Sequence, residues 1–451
     1  MKEISNLTEW EYNNLDLIEE CIEKGKKPVV LIAGASSSGK SFASKTLERF
    51  LNDHNLRTVT VSTDSYNNGI TKNIFNIVDK KYYGGKLPTK DVCINKIRDI
   101  TINSEFDKKF DFANCKKIER AMTGLLTINL QEFTDHMKYE FEHINFDRKY
   151  IYDLTEASND IAHLMKGKII AKKSYSKMIS ERIEESEFID GQDVDVIIVE
   201  GIYALTDDIR ENLDAEATIT NFVTANSKNL FLRRMIRDMQ ITNCSKSFIL
   251  KNYFQYVIPE YEKTVKPTMQ NADIIFQNDM TFEELRSGKV EVQEKFLIDQ
   301  ESVRILLKQS KVLDKRFQLD TFFGDKGDKT VLRLREVGMN RKELKMDSLI
   351  FKSAPRLRKD NQLVRQRQIL CNSSDLKIYK NKRQLIDDLK SAGIEQSKQV
   401  LKTRFLLEYM GQEIKIDFDG DKIYMEIDNS KIDKNTLPIK YTLTNKITIE
   451  N

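Results

Sequence analysis

At 451 residues the chain is too long for one ordinary core, and its length predicts two or three domains. Lys and Arg number 73 against 70 Asp and Glu, a balance that excludes a global bias toward nucleic acid or membrane surfaces, so basic clusters are judged one by one. The five cysteines (Cys21, Cys93, Cys115, Cys244, Cys371) show no CxxC or Cys/His spacing, which points to a reducing compartment and away from zinc. No apolar run is long enough to span a membrane and the amino terminus lacks a secretion signal's apolar core, so the expected location is cytoplasmic.

In chain order, Leu7 to Ile22 repeats apolar residues at helical spacing and stops at Gly25, predicting a helix within residues 1–27 that packs beside the first strand. Val29 to Ile32 is β-branched and apolar, the pattern of a buried parallel strand, and it runs into Gly34-Ala35-Ser36-Ser37-Ser38-Gly39-Lys40-Ser41. Small residues at this spacing let backbone N–H groups turn around phosphate oxygens, and a helix beginning near Lys40 adds its positive end. The stretch predicts a nucleoside triphosphate site, with Lys40 reaching the β- and γ-phosphates and the Ser41 hydroxyl on Mg²⁺. A Ser/Gly-rich turn without function is the bland alternative.

Arg57 to Ser62 predicts a second strand that delivers Asp64, Ser65 and Tyr66 to its carboxyl end, where open α/β sheets place ligands. Residues 68–144 are irregular, Lys-rich and aromatic, with helical patterns near 91–101 and 129–143, and read as an inserted lobe with a small core of its own. After a mixed helical stretch, Val194 to Val199 predicts a third strand ending in Glu200, a carboxylate placed to hold Mg²⁺ beside the loop. Ala217 to Val223 predicts a fourth. The helix after it carries Arg233, Arg234 and Arg237, either an exposed face partnered by Asp238 or a phosphate-clamping lid. Ala272 to Phe276 predicts the last strand of the sheet, and residues 278–288 a linker.

From residue 289 to 451 the periodicity is antiparallel. Charged or polar residues alternate in Glu291-Gln293-Lys295, Arg333-Arg335, Lys402-Arg404, Lys415-Asp417 and Glu426-Asp428. A sandwich with a wet outer face and a barrel with a polar interior, its apolar outside covered by helices such as 381–392, both produce this alternation.

Residues 28–277 resemble the uridine kinase and phosphoribulokinase branch of P-loop kinases. The likeness is carried by GASSSGKS, Asp64-Ser65-Tyr66, NFD at 145–147, Tyr175 with Arg182, VIIVEGIYAL at 196–205, RRMIRD at 233–238, and the tail from Tyr256 to Ile275. It implies an α/β fold, a parallel sheet with helices on both faces, and an ATP-dependent phosphotransferase acting on a nucleoside-like hydroxyl. Asp64 would be the general base, Asp147, Tyr175 and Arg182 would line the acceptor pocket, and Arg234 and Arg237 would hold phosphates. This chain writes Asp64-Ser65-Tyr66-Asn67 where the family usually has Asp-x-Phe-Tyr, and Ser180 stands where animal-type uridine kinases carry a base-reading histidine. Two further lid arginines fall near Thr242 and Cys244.

Residues 289–430 resemble the CYTH, or triphosphate tunnel metalloenzyme, family, through Glu291-x-Gln293-x-Lys295, LDTFF at 319–323, LRLR at 332–335, Phe351-Lys352, Lys402-x-Arg404, Asp417 and Glu426-x-Asp428. The resemblance implies an eight-stranded antiparallel tunnel that binds or hydrolyses a polyphosphate. Lys295, Arg333, Arg335, Lys352, Lys402 and Arg404 would bind phosphate, and Glu291, Glu426 and Asp428 would hold Mg²⁺ or Mn²⁺. Gln293 supplies no charge where the family has a carboxylate, and Arg365-Gln366-Arg367-Gln368 lacks the usual glutamate. Three functions follow: kinase chemistry first; a metal-dependent pyrophosphatase or triphosphatase with the kinase fold as regulatory nucleotide-binding module; or a binding protein with two retired sites. Partners would be small molecules, not nucleic acid or membranes, and self-association stays open.

Overall fold

A computed structural model of the chain describes residues 1–102, 115–177, 179–183, 187–241, 244–279, 289–325, 329–357, 363–428, 437 and 439–443. It divides into two compact units, Met1–Cys244 with Asn252–Asp279, and Ser245–Lys251 with Met280–Asn451.

The first unit is built on six parallel strands: β1 (Lys2–Ile4), β2 (Val29–Gly34), β3 (Thr58–Ser62), β8 (Val196–Glu200), β9 (Thr218–Thr224) and β10 (Ile274–Gln277), in the spatial order β1-β10-β9-β2-β8-β3. The four short strands β4 (Ile169–Ala171), β5 (Ser174–Ser176), β6 (Glu181–Ile183) and β7 (Phe188–Asp190) lie outside it, as two antiparallel ribbons pairing β4 with β7 and β5 with β6. β2 is buried at every residue because side chains alternate across it: Val29, Leu31 and Ala33 enter one apolar core and Val30 and Ile32 the other. All strands point the same way, so the carboxyl ends of β2, β3 and β8 open on one edge.

Ile274–Gln277 is the last strand of this sheet in chain order, as its apolar run suggests, and a strand that the sequence does not announce, Lys2–Ile4, pairs beside it in register from Lys2↔Ile274 to Ile4↔Phe276. A three-residue strand carries too little periodicity to be read from sequence. The stretch after Asp147, expected to be mixed helix, contains helix α7 (Leu154–Met165) but also both ribbons. Helix α1 (Leu7–Glu23) is fastened to the sheet by a buried polar knot. Trp10 Nε1 donates to Asn221 Oδ1 at 2.7 Å, and Asn221 Nδ2 donates to Asn14 Oδ1 at 2.8 Å. Helix α2 (Lys40–Asp53) follows the Gly34–Ser41 loop. The inserted residues form α3 (Ile70–Tyr82), α4 (Lys90–Ile102), α5 (Cys115–Met122) and α6 (Leu130–His143) around a separate core that includes Ile74, Phe75, Phe133 and Met137. A one-turn helix α8 (Asp207–Arg210) and the arginine-bearing α9 (Ser227–Ile241) complete the elements that matter below.

The second unit contains β11 (Lys289–Ile298), β12 (Lys311–Phe323), β13 (Val331–Gly338), β14 (Lys345–Lys352), β15 (Arg356–Leu357), β16 (Leu363–Asn372), β17 (Gln396–Tyr409), β18 (Gln412–Asp419), β19 (Lys422–Asp428) and β20 (Tyr441–Leu443). Antiparallel pairing runs β16-β14-β13-β12-β17-β18-β19-β11, and β11 pairs back onto β16 over Lys289↔Arg367 to Gln293↔Leu363. The ladder therefore closes into a barrel of those eight strands, with β15 and β20 as side additions. Alternation along the sequence left sandwich and barrel open, and the double pairing of β11 resolves it. The apolar face is the outer one: Phe296, Leu407, Ile416 and Met425 pack with Val303 and Leu306 of the helix Gln300–Gln309. The opposite face turns to the lumen.

Asn221→Leu strands the Trp10 N–H and the Asn14 amide in the core and should cost about 2–4 kcal/mol. Chemical denaturation followed by fluorescence of Trp10, the single tryptophan of the chain, measures it.

Candidate functional site

The loop Gly34–Ser41 begins where β2 ends, and two glycines are required by close approach. A Cβ on Gly34 (φ +145°) would lie 2.0 Å from the Val223 carbonyl oxygen, and one on Gly39 (φ +98°) would lie 2.1 Å from Asn278 Nδ2. The loop wraps tightly enough to bury the Ser37 and Ser38 hydroxyls with no hydrogen-bond partner, as expected of a cradle whose complement is a polar ligand. Helix α2 starts at Lys40 and aims its N-terminal end at the same space. Lys40 Nζ folds back to donate to the Ala35 carbonyl at 2.8 Å. Burial lowers its pKa to about 8, against the opposing charges of Glu200 and Asp64.

Across the loop, at the tip of β8, Glu200 is buried and its Oε1 accepts from Ser62 Oγ at 2.6 Å and Ser41 Oγ at 3.2 Å. Burial and the neighbouring Asp64 push its pKa up, opposed by Lys40. Hydroxyl and carboxylate together are the hard-oxygen set that Mg²⁺ takes when phosphates complete its shell, so these residues fit that ion. Asp64 stands in the short turn after β3 with its Oδ2 2.9 Å from Lys177 Nζ. Burial alone would raise its pKa, but Lys177, Lys40 and Arg237 outweigh burial and hold it low.

Helix α9 resolves the question about its arginines. Arg234 is buried, and its guanidinium donates to Ser36 Oγ at 2.6 Å, Asp147 Oδ2 at 3.3 Å and Asp238 Oδ2 at 2.5 Å. Arg237 donates to Asp238 Oδ1 at 2.8 Å. These side chains lie against the loop, which an outward-facing helix surface would not permit. Arg233 donates to the Ser38 carbonyl at 3.2 Å and the Asn278 carbonyl at 2.9 Å.

The proposed acceptor residues separate. Asp147 joins the arginine cluster, and Tyr175 is raised in pKa by burial while feeling the Asp64 charge, which puts it near that carboxylate. Arg182, paired with Tyr175 in the β5–β6 ribbon, donates to Glu156 Oε2 at 2.7 Å and lies over the Tyr66 ring, supporting the ribbon.

In the second unit, Arg333 and Arg335 both donate to buried Asp320, at 3.0 Å and at 2.7 Å for each Arg335 contact. Lys402 and Arg404 bond Asp417, and Arg404 Nη2 also reaches Glu426 Oε2 at 2.8 Å. Lys295 stands 4.0 Å from Glu426, and its ammonium lies over the Tyr424 ring. Burial raises the Glu426 pKa less than Arg404, Lys402, Lys295 and Lys352 lower it; Lys352 acts from β14, on the far side of the lumen. Burial lowers Arg333 to about 10 against Asp320. Of the expected metal carboxylates, Glu426 is taken up by these cations, while the side chains of Glu291 and Asp428, like that of Gln293, lie outside the described residues. Among the described residues no group of three or more His, Cys, Asp and Glu gathers to hold a metal.

Sequence reasoning missed Ser62, Lys177, Asn278 and the loop contact of Arg233. Asn278 falls in the stretch whose sequence reads as a linker, yet it is buried and its Nδ2 donates to the Ser38 carbonyl at 2.8 Å.

Residues 99–283 match the Phosphoribulokinase / Uridine kinase family. The uridine kinase of Ureaplasma parvum serovar 3 is 28% identical over 137 residues, 30% of this chain and 64% of that protein. Uridine-cytidine kinase B of Dictyostelium discoideum is 33% identical over 132 residues, 29% of this chain and 52% of that protein. The uridine kinase of Clostridium perfringens (strain 13 / Type A) is 32% identical over 132 residues, 29% of this chain and 61% of that protein. The chain thus spans 52% to 64% of the length of these relatives. The family match includes Asp147, Tyr175, Glu200 and Arg234 but begins after the Gly34–Ser41 loop and Asp64, whose reading stands on geometry.

Arg234→Met leaves Asp147 and Asp238 buried beside the loop without their cation. The first unit should lose about 3–5 kcal/mol, read as a lowered denaturant midpoint.

Proposed function

We propose that the first unit is an ATP-dependent phosphotransferase that moves the γ-phosphoryl group to the hydroxyl of a nucleoside-like small molecule. The observation that carries this reading is the convergence of Lys40, Ser41, Asp64 and Glu200 at the carboxyl ends of β2, β3 and β8. The loop N–H groups, Lys40, Arg234 and Arg237 bind the triphosphate, an arrangement that stabilises charge spread over the transferring oxygens. Ser41 and Glu200 would hold Mg²⁺, which when bound neutralises phosphate charge. Asp64, ionised through its cationic neighbours, takes the proton from the acceptor hydroxyl as its oxygen bonds to the γ-phosphorus and the bond to the β–γ bridging oxygen breaks. Tyr175 and the Asn145–Asp147 turn border the acceptor. The similarity to uridine kinases supports a nucleoside, and Ser180 stands where the animal-type enzymes carry a base-reading histidine.

Asp64→Asn should lower phosphoryl transfer to uridine, cytidine or another accepted nucleoside by about 10²–10⁴-fold while ATP affinity stays within about twofold. Transfer at the parental rate in that variant overturns the reading.

For the second unit the favoured reading is a polyphosphate site of the CYTH type. The supporting observation is that six cations, Lys295, Arg333, Arg335, Lys352, Lys402 and Arg404, gather on one face of the barrel, with Asp320, Asp417 and Glu426 among the described carboxylates facing them. A cluster of partly buried cations of this kind suits a multiply charged anion. The occupation of Glu426 by Arg404 favours binding over hydrolysis, with metal-dependent hydrolysis in Mg²⁺ or Mn²⁺ as the alternative.

Lys352→Ala and Lys402→Ala should each weaken tripolyphosphate binding about tenfold in titration calorimetry and leave nucleoside phosphorylation unchanged. Tripolyphosphate hydrolysis that survives Lys40→Ala and disappears in Glu426→Ala would instead make the barrel the catalytic half.

A further inference from the structure

The carboxylate assigned as general base is already engaged. Lys177 Nζ lies 2.9 Å from Asp64 Oδ2, and the two side chains are 45% and 32% exposed. Lys177 follows β5 on the β5–β6 ribbon, two residues after Tyr175. The other ribbon cations are anchored on the ribbon's own side: Arg182 and Lys173 both pair with Glu156. Lys177 instead reaches the carboxylate of the turn that packs against the ribbon.

Several groups face Asp64. Lys40 and Arg237 come from the phosphate side, Glu200 from the tip of β8, and Tyr152 and Tyr175 from the acceptor side. Lys40 and Arg237 belong to the triphosphate site and stay near ATP. Lys177, of the described cations that act on Asp64, is the one outside the triphosphate site, on a flexible four-carbon stem reaching solvent, so it can leave when another group takes its place. An ammonium on a carboxylate oxygen fills the space an attacking oxygen needs and draws electron density from the base.

We propose that Lys177 is a positioning residue that masks Asp64 while the acceptor site is empty, keeping water from attacking ATP, and that the arriving acceptor hydroxyl displaces it. This rests on the reading of Asp64 as the general base. In the suppressed reaction a water oxygen bonds to the γ-phosphorus and the bond from that phosphorus to the β–γ bridging oxygen breaks. Its electron pair leaves with ADP, and the water proton passes to Asp64. The ion pair removes both the room and the basicity for that step.

The test uses the full-length chain with ATP and Mg²⁺ and no acceptor, measuring phosphate release. Lys177→Met should raise hydrolysis about tenfold, Lys177→Arg should hold it down by keeping a cation on the carboxylate, and the gain should vanish in the double variant Lys177→Met/Asp64→Asn. A turnover-independent measurement accompanies it: mass-spectrometric labelling of Lys177 with an amine-reactive reagent should rise several-fold in Asp64→Asn. Unchanged or lowered hydrolysis in Lys177→Met overturns the masking role, and lowered hydrolysis together with lowered transfer would place Lys177 on the phosphates. If Asp64→Asn abolishes transfer while Lys177→Met leaves hydrolysis flat, masking fails and the base assignment stands. If Asp64→Asn transfers normally, the base assignment itself has failed.

Discussion

Everything in the first unit turns on holding a buried ammonium, Lys40, beside two carboxylates at the open edge of a parallel sheet. Burial lowers Lys40 to about 8 and pushes Glu200 up, so it works against the charged form of each group. They are sustained by one another and by fixed dipoles: the Ala35 carbonyl on Lys40, and the Ser62 and Ser41 hydroxyls on Glu200. A multiply charged phosphate tail brought into this setting meets groups already desolvated and oriented, which is the condition under which electrostatic stabilisation of transferring oxygens is large. The sheet supplies that condition because parallel strands, buried on both faces, deliver β2, β3 and β8 to the same edge.

The outer parts of the site serve that core. Arg234 reaches Ser36 of the loop while two carboxylates, Asp147 and Asp238, hold its guanidinium in place. Asn278 and Arg233 both bond the Ser38 carbonyl, bracing the loop from its outer side, and the contact between Asn278 and the space where a Gly39 side chain would sit explains why that position has none. The loop is thus shaped by residues far along the chain as much as by its own glycines.

That division explains what was legible in the sequence. The Gly34–Ser41 loop, the strands before and after it, and Glu200 were readable because strand, turn and helix signals are contiguous there. The place of Asp64 at the end of the next strand was readable in the same way, while its role as base and the acceptor residues were readable only through family resemblance. Lys177, Asn278 and the Trp10–Asn14–Asn221 knot were not, because each depends on partners more than a hundred residues away, and no local periodicity encodes such pairings. In the second unit the alternation gave the strands and their two faces, but closure was hidden. It depends on β11 pairing with β16 on one side and β19 on the other, strands that lie about 70 and 130 positions downstream.

The two units meet the problem of buried charge differently, and the difference bears on what each can do. In the first, Lys40 leans on a backbone carbonyl and the Ser37 and Ser38 hydroxyls are without partners, so an arriving phosphate gains contacts while displacing little. In the second, Arg333 and Arg335 share Asp320, and Lys402 and Arg404 share Asp417, so each guanidinium is oriented by a carboxylate that also subtracts from its pull on an anion. A weakly charged ligand gains little from such clamped cations, because its attraction is partly cancelled by the carboxylates behind them. A ligand carrying several adjacent negative charges would draw on all of these cations at once, each oriented beforehand by its carboxylate. The pairing of these cations with acids of the same barrel thus supports the proposed reading of a ligand of high charge density over a weakly charged one.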